Sequence, residues 1–205
     1  MDIKLNFINN SNDANNSSVV IFQKNVASDF EELAVAWQVI KYCGQGDNHP
    51  FTYPMQTTIG ASDSWGNFTP QLQANQGQMF QMSLNASGDV ISLAGQATSI
   101  HEIQLLNNLS KGAINANIYK NGKLLATKTN VAPQQRAVFE FKPTIWIGVV
   151  SQVNQGEVMN SAIISQVNTE LNLFGIASAD IVMTGGGSGP NAQPFNFTLE
   201  NINML

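Results

Sequence analysis

The chain has 205 residues, a formal net charge of −5, a sequence pI near 4.8 and only 11% charged side chains, against about 25% in an ordinary soluble domain. Its basic residues are scattered rather than clustered, which argues against nucleic acid or an anionic membrane surface as partner, since both select Lys/Arg patches. A single cysteine excludes an internal disulfide framework and a four-cysteine zinc site.

The polar share is carried by amides and hydroxyls, and about one residue in five is Asn or Gln. The opening segment, MDIKLNFINN, has no basic head followed by an apolar core, so no signal peptide is expected. No apolar run reaches the roughly 18 residues of a membrane span. A cytoplasmic protein is expected, with release by a route that needs no signal peptide as the alternative. The length suits one domain over residues 1–205.

In chain order the dominant signal is a period of two. Ile3, Leu5 and Phe7 share one face of the first segment, and Ser-Val-Val-Ile-Phe at 18–22 is an apolar run suited to an inner strand. The stretch SDFEELAVAWQVIKY carries the main helical signal. Ser28 and Glu31 form a capping box, predicting a short helical turn near 28–33 and then a strand from about 34 to 42. A helix through the whole stretch is the alternative, because Leu33, Ala36, Trp37 and Ile40 also recur at helical spacing. Further on, Phe80, Met82 and Leu84 alternate with Met79, Gln81 and Ser83, and a turn follows at 86–89.

The clearest hairpin is INANIYK-NG-KLLATKT, where Asn121-Gly122 suits a type I′ turn with positive φ at both positions. Strands at RAVFEFK, TIWIGVV, TELNLFG, ADIVMT and FNFTLENI complete the chain. The run GGGSGPNAQP at 185–194 lacks the Gly-Lys-Ser/Thr of a phosphate loop and reads as a hairpin end. About ten to twelve strands, with at most one short helix, give an all-β antiparallel β-sandwich as the expected fold.

The segment YCGQGDNHPFTYPM at 42–55 holds the only cysteine and one of two histidines. Cys43, His49 and Met55 are part of the ligand set of a copper site on a β-sandwich. The only other imidazole, His101, lies on a distant segment. The simpler reading makes Cys43 a small buried residue ending a strand, Gly44, Gly46 and Asp47 a turn, and His49-Pro50 the start of the next strand. Cys43 and His49 thus stand as the metal alternative, for copper or zinc, in a protein otherwise expected to need no cofactor.

Asp47, His49, Ser62 and Ser64 contain the residue types of a hydrolase triad, but no G-x-S-x-G elbow accompanies them. Asp29, Glu31 and Glu32 sit where carboxylates offset the free N–H groups of a helix start. Of three tryptophans, Trp37 and Trp146 fall in apolar segments and are expected in the core. Trp65, among the turn residues of SDSWGN, is the exposed candidate for stacking on a ligand.

Several blocks together resemble the family of RhiA, the rhizosphere-expressed protein, found in bacteria and fungi. They are VVIFQKN, LAVAWQVIKY, FTYPM, the tryptophan of SDSW, and VNQGEVMN, in that order along the chain. Two departures stand out: Tyr53 where the family has tryptophan, and Ala34-Val35-Ala36-Trp37 where it has Ser-Leu-Ala-Trp. The resemblance implies a β-sandwich, transfers no catalytic residue, and makes Phe22, Gln23, Trp37, Phe51, Tyr53, Trp65 and Gly156-Glu157 fold markers.

The expectation is a non-enzymatic, RhiA-like β-sandwich that acts by binding a small ligand or glycan, with Trp65 as contact, or by self-association into a homo-oligomer. The alternative is a mononuclear soft-metal protein using Cys43 and His49.

Overall fold

The computed structural model describes residues 2–27 and 34–205. The fold is all-β, with 57% strand against 5% helix, about the reverse of the helix-rich average for soluble domains. Tertiary contacts divide the described residues into two compact units, the first from residues 2–24, 34–55 and 143–205, the second from 25–27 and 56–142.

The first unit has two four-stranded sheets. One contains β1 (Ile3–Asn9), β4 (Asn48–Tyr53), β15 (Ile176–Gly186) and β16 (Gln193–Met204), in the order β16-β15-β1-β4. The other contains β2 (Ser18–Phe22), β3 (Gln38–Ile40), β13 (Thr144–Val150) and β14 (Thr169–Asn172), in the order β14-β13-β2-β3. Ile3, Leu5 and Phe7 are buried as their alternation predicts. Trp37, just before β3, packs edge-on to Phe51 and Tyr53 of β4 at centroid distances of 6.4 and 5.9 Å, tying the two sheets together.

Every residue of β2 is buried, because both of its faces are covered. Val20 and Phe22 join a cluster with Ala36, Val150, Val153, Met159 and Val167, while Val19 and Ile21 are buried on the opposite face. The cluster is capped by the one α-helix among the described residues, α1 (Ser161–Gln166), through Ile163 and Ile164. The Asn160 side chain starts this helix by accepting a 2.9 Å hydrogen bond from Ile163 N–H. At six residues it is too short to show a helical period. The turn expected at 28–33, with Asp29, Glu31 and Glu32, lies outside the described residues.

The second unit also has two four-stranded sheets. One contains β5 (Thr57–Asp63), β6 (Leu72–Ala74), β10 (Ile114–Lys120) and β11 (Lys123–Val131), in the order β11-β10-β5-β6. The other contains β7 (Gln78–Asn85), β8 (Gly88–Gln96), β9 (Ile103–Asn107) and β12 (Arg136–Phe139), in the order β12-β9-β7-β8. Its core includes Ile59, Ala61, Ile118 and Leu125 from the first sheet, and Phe80, Leu105 and Phe139 from the second. The β10–β11 hairpin closes through Asn121 at φ 52° and Gly122 at φ 71°, as the sequence predicts. Two strand pairings are parallel, β1 with β15 and β7 with β9; the others named here are antiparallel.

Sixteen strands among the described residues exceed the expected ten to twelve. The surplus includes β6, three residues long and too short for alternation to register; β3 falls within the strand expected from about 34 to 42 but spans only Gln38–Ile40. The amide-rich composition finds a structural use in cross-strand bonding. Asn48 donates to Asn6 (3.0 Å), Asn6 to one Asp180 oxygen (3.1 Å), and Asn201 to the other (2.7 Å), a row crossing β4, β1, β15 and β16. No helix among the described residues is long and apolar enough to cross a membrane.

Candidate binding site

The loop that leaves β5 carries Trp65, and Asp63 organises it. One carboxylate oxygen of Asp63 accepts from the backbone N–H groups of Trp65 and Asn67, each at 2.9 Å, and the other accepts from the Asn67 side chain at 2.8 Å. The backbone closes the same turn, with Asp63 N–H donating to the Asn67 carbonyl at 3.1 Å. Gly66 takes φ 87°, a conformation that side chains resist. The hydrogen bonds from Asn67, chiefly through its side chain, hold the Asp63 carboxyl below the usual carboxylate range.

All of this fixes the loop and leaves the indole free: Trp65 is 88% exposed. Phe68, on the same loop, is 70% exposed. Phe68 adjoins the same Gly66-Asn67 turn as Trp65, so the sequence carries the same signal for both residues.

The other tryptophans differ from it. Trp37 is fully buried. Trp146, expected in the core, is only half-buried. The alternation of β13 buries Ile145 and Ile147 and turns Trp146 to the other face, beside α1, where the Lys24 ammonium lies 3.3 Å from the ring centroid.

The segment around Cys43 is a loop built on Asn9. The Asn9 side chain donates to the Cys43 carbonyl at 2.7 Å, and Gly46 N–H donates to the Asn9 carbonyl at 2.7 Å. Asp47 caps the turn by accepting from Gly44 N–H at 3.0 Å. Cys43 therefore lies in the loop beyond β3 and is partly exposed, not buried at a strand end. Burial of the thiol, followed by the neighbouring Asp47 charge, pushes its pKa up.

His49 sits on β4 opposite Phe7, with a ring nitrogen 3.4 Å from the Gln38 side-chain amide. Met55 is about half exposed, and its N–H donates to Asp2. His101, also exposed, belongs to the second unit. Among the described residues no three His, Cys, Asp or Glu side chains are grouped to hold a metal ion.

Of the triad residue types, Asp47 and His49 lie in the first unit and Ser62 and Ser64 in the second. Ser62 is buried and accepts from the side chains of Asn115 and Asn117. Phe22, Gln23, Trp37 and Tyr53, which carry the family resemblance, are all buried in the first unit. No family model, curated protein or solved structure matches the chain.

Proposed function

We propose that this protein is a non-enzymatic, RhiA-like β-sandwich that binds a ligand, and that Trp65 is its contact with a glycan. The carrying observation is a tryptophan 88% exposed on a loop already fixed by Asp63. An exposed indole offers a flat apolar face for a ligand to cover, and a fixed loop spares the ordering entropy that weakens binding by mobile segments. A sugar ring covering one indole face removes on the order of 100 Å² from water, worth about 2–3 kcal/mol at about 25 cal/mol per Å². A surface rich in neutral amides suits hydroxyl partners better than charged ones.

Self-association by edge pairing has less support at three of the sheet edges, which carry features that hinder it. β4 carries Pro50, β16 pairs with register shifts on its inner side, and β11 carries Lys123 and Lys128. The metal alternative rests on Cys43, on the loop beyond β3, and His49, on β4, whose ring nitrogen lies 3.4 Å from the Gln38 side-chain amide.

A glycan array probed with wild type and Trp65→Ala tests the proposal. A bound glycan should lose affinity by about 30-fold or more in the variant, following from about 2 kcal/mol, and should blue-shift indole emission in wild type. Glycan binding retained at full strength by Trp65→Ala, or no glycan bound, would remove Trp65 from this role.

A further inference from the structure

A second feature lies wholly in the first unit. Lys41 and Tyr42, leaving β3, line a cleft of about 470 Å³ together with Ser18 and with Ser151, Asn154 and Glu157 from the segment after β13. Its volume falls in the range of about 300–1,000 Å³ typical of small-molecule sites.

Three observations bear on what it could hold. First, its polar groups, which lie at the surface, are hydrogen-bonded to one another. The Lys41 ammonium donates to the Asn154 side-chain oxygen at 2.7 Å. The Asn154 side-chain amide and backbone N–H donate to the two Glu157 oxygens at 2.7 and 2.9 Å. The ammonium keeps two further donors and the carboxylate keeps free lone pairs, so a donor and an acceptor stand ready on one network.

Second, Tyr42 is 79% exposed, and its backbone sits at φ 57°. A bulky residue seldom adopts that conformation; Asn, Asp or Gly would meet it more easily. Core packing does not account for an aromatic ring here, because the ring is outside the core.

Third, the cleft holds one cation and one carboxylate, joined through Asn154. An anionic ligand would meet Glu157, and a cationic one Lys41. Each hydroxyl of a polyol both donates and accepts, so adjacent hydroxyls match such a pair of groups, and the exposed phenol ring offers a face for the C–H side of a sugar.

We propose that this cleft is a binding site for a neutral sugar residue, laid against Tyr42 and hydrogen-bonded by Lys41, Asn154 and Glu157. It shares no residue with the Trp65 loop and does not rest on that reading.

Amide-resolved NMR titrations of the full chain test it, with D-glucose, D-galactose, D-mannose and N-acetyl-D-glucosamine as probes at millimolar concentration, and glycine and inorganic phosphate as zwitterionic and anionic comparators. At least one sugar should shift the Tyr42, Ser151 and Asn154 amides in a saturable way. Tyr42→Asn removes the ring while suiting the backbone, and Glu157→Gln removes the charge. Each should weaken that sugar by at least tenfold, and Tyr42→Asn should melt no lower than wild type.

No saturable shift at these amides with any of the sugars would overturn the proposal. So would undiminished binding by Tyr42→Asn, or a response to glycine or phosphate alone. Shifts confined to residues 64–67 would count against the cleft and for the Trp65 loop; the reverse pattern would do the opposite, so the two readings fail separately.

Discussion

Gly148 offers a sharp test of how α1 is seated on β13. It is buried in the middle of the strand. A Cβ placed there would lie 2.6 Å from the Val167 Cα and 2.7 Å from the Gln166 carbonyl oxygen. Unstrained contacts between heavy atoms fall near 3.5–4.0 Å, so the overlap is about 1 Å against two backbone atoms. Shortening the side chain at position 167 cannot relieve it. The helix end would have to move, drawing Val167, Ile163 and Ile164 from the cluster built on Val20 and Phe22.

Overpacking of this kind costs about 1–3 kcal/mol. The upper end applies here, because backbone is harder to shift than a side chain. Gly148→Ala should therefore lose about 2–3 kcal/mol, a fall in Tm of about 4–12 °C at about 2–4 °C per kcal/mol for a chain of this size. Thermal melts followed by circular dichroism give the number. Gly156→Ala is the comparison: it has φ 86° and nothing within 4 Å of an added Cβ, so it carries only the backbone cost of about 1 kcal/mol. If Gly148→Ala melted within about 1 °C of wild type, the close approach of α1 to β13 would be wrong.

Gly122→Val should cost about 1 kcal/mol or more by chemical denaturation; since nothing lies within 4 Å of an added Cβ there, the loss would be purely conformational, and a neutral result would mean a different turn. The Asp63 carboxyl titrates below its usual range in the folded state, so its contribution to loop order is complete above the unfolded pKa and is lost as pH falls through the lower folded value. Trp65 emission should accordingly be constant from neutral pH down to the ordinary carboxylate range and change below it, and Asp63→Asn should abolish that step. The Cys43 thiol, with its raised pKa, should react with thiol reagents near pH 8 more slowly than free cysteine. Asp47→Asn, which keeps an acceptor for Gly44 N–H, should speed that reaction; an unchanged rate would remove the carboxylate from the account.

The sequence alone was enough to show an all-β chain and the Asn121-Gly122 hairpin. Those features are set by local physics: strand alternation repeats every two residues, and a type I′ turn needs two residues that accept positive φ. Exposure of Trp65 was legible for the same reason, because its loop is made by neighbours in sequence, Asp63 to Asn67. Tertiary structure alone decided the rest. Strands from three separate stretches of chain assemble the first unit, and no local pattern records which stretches will meet. Trp146, expected in the core from its apolar segment, is half-buried instead, because its side of β13 is covered only in part, by α1 and Lys24. Lys41 and Glu157 are more than a hundred residues apart, and only the fold of β3 against the segment after β13 links them through Asn154. Contacts between distant residues are fixed by how whole sheets bury their apolar faces, and a short window of sequence holds no trace of that choice.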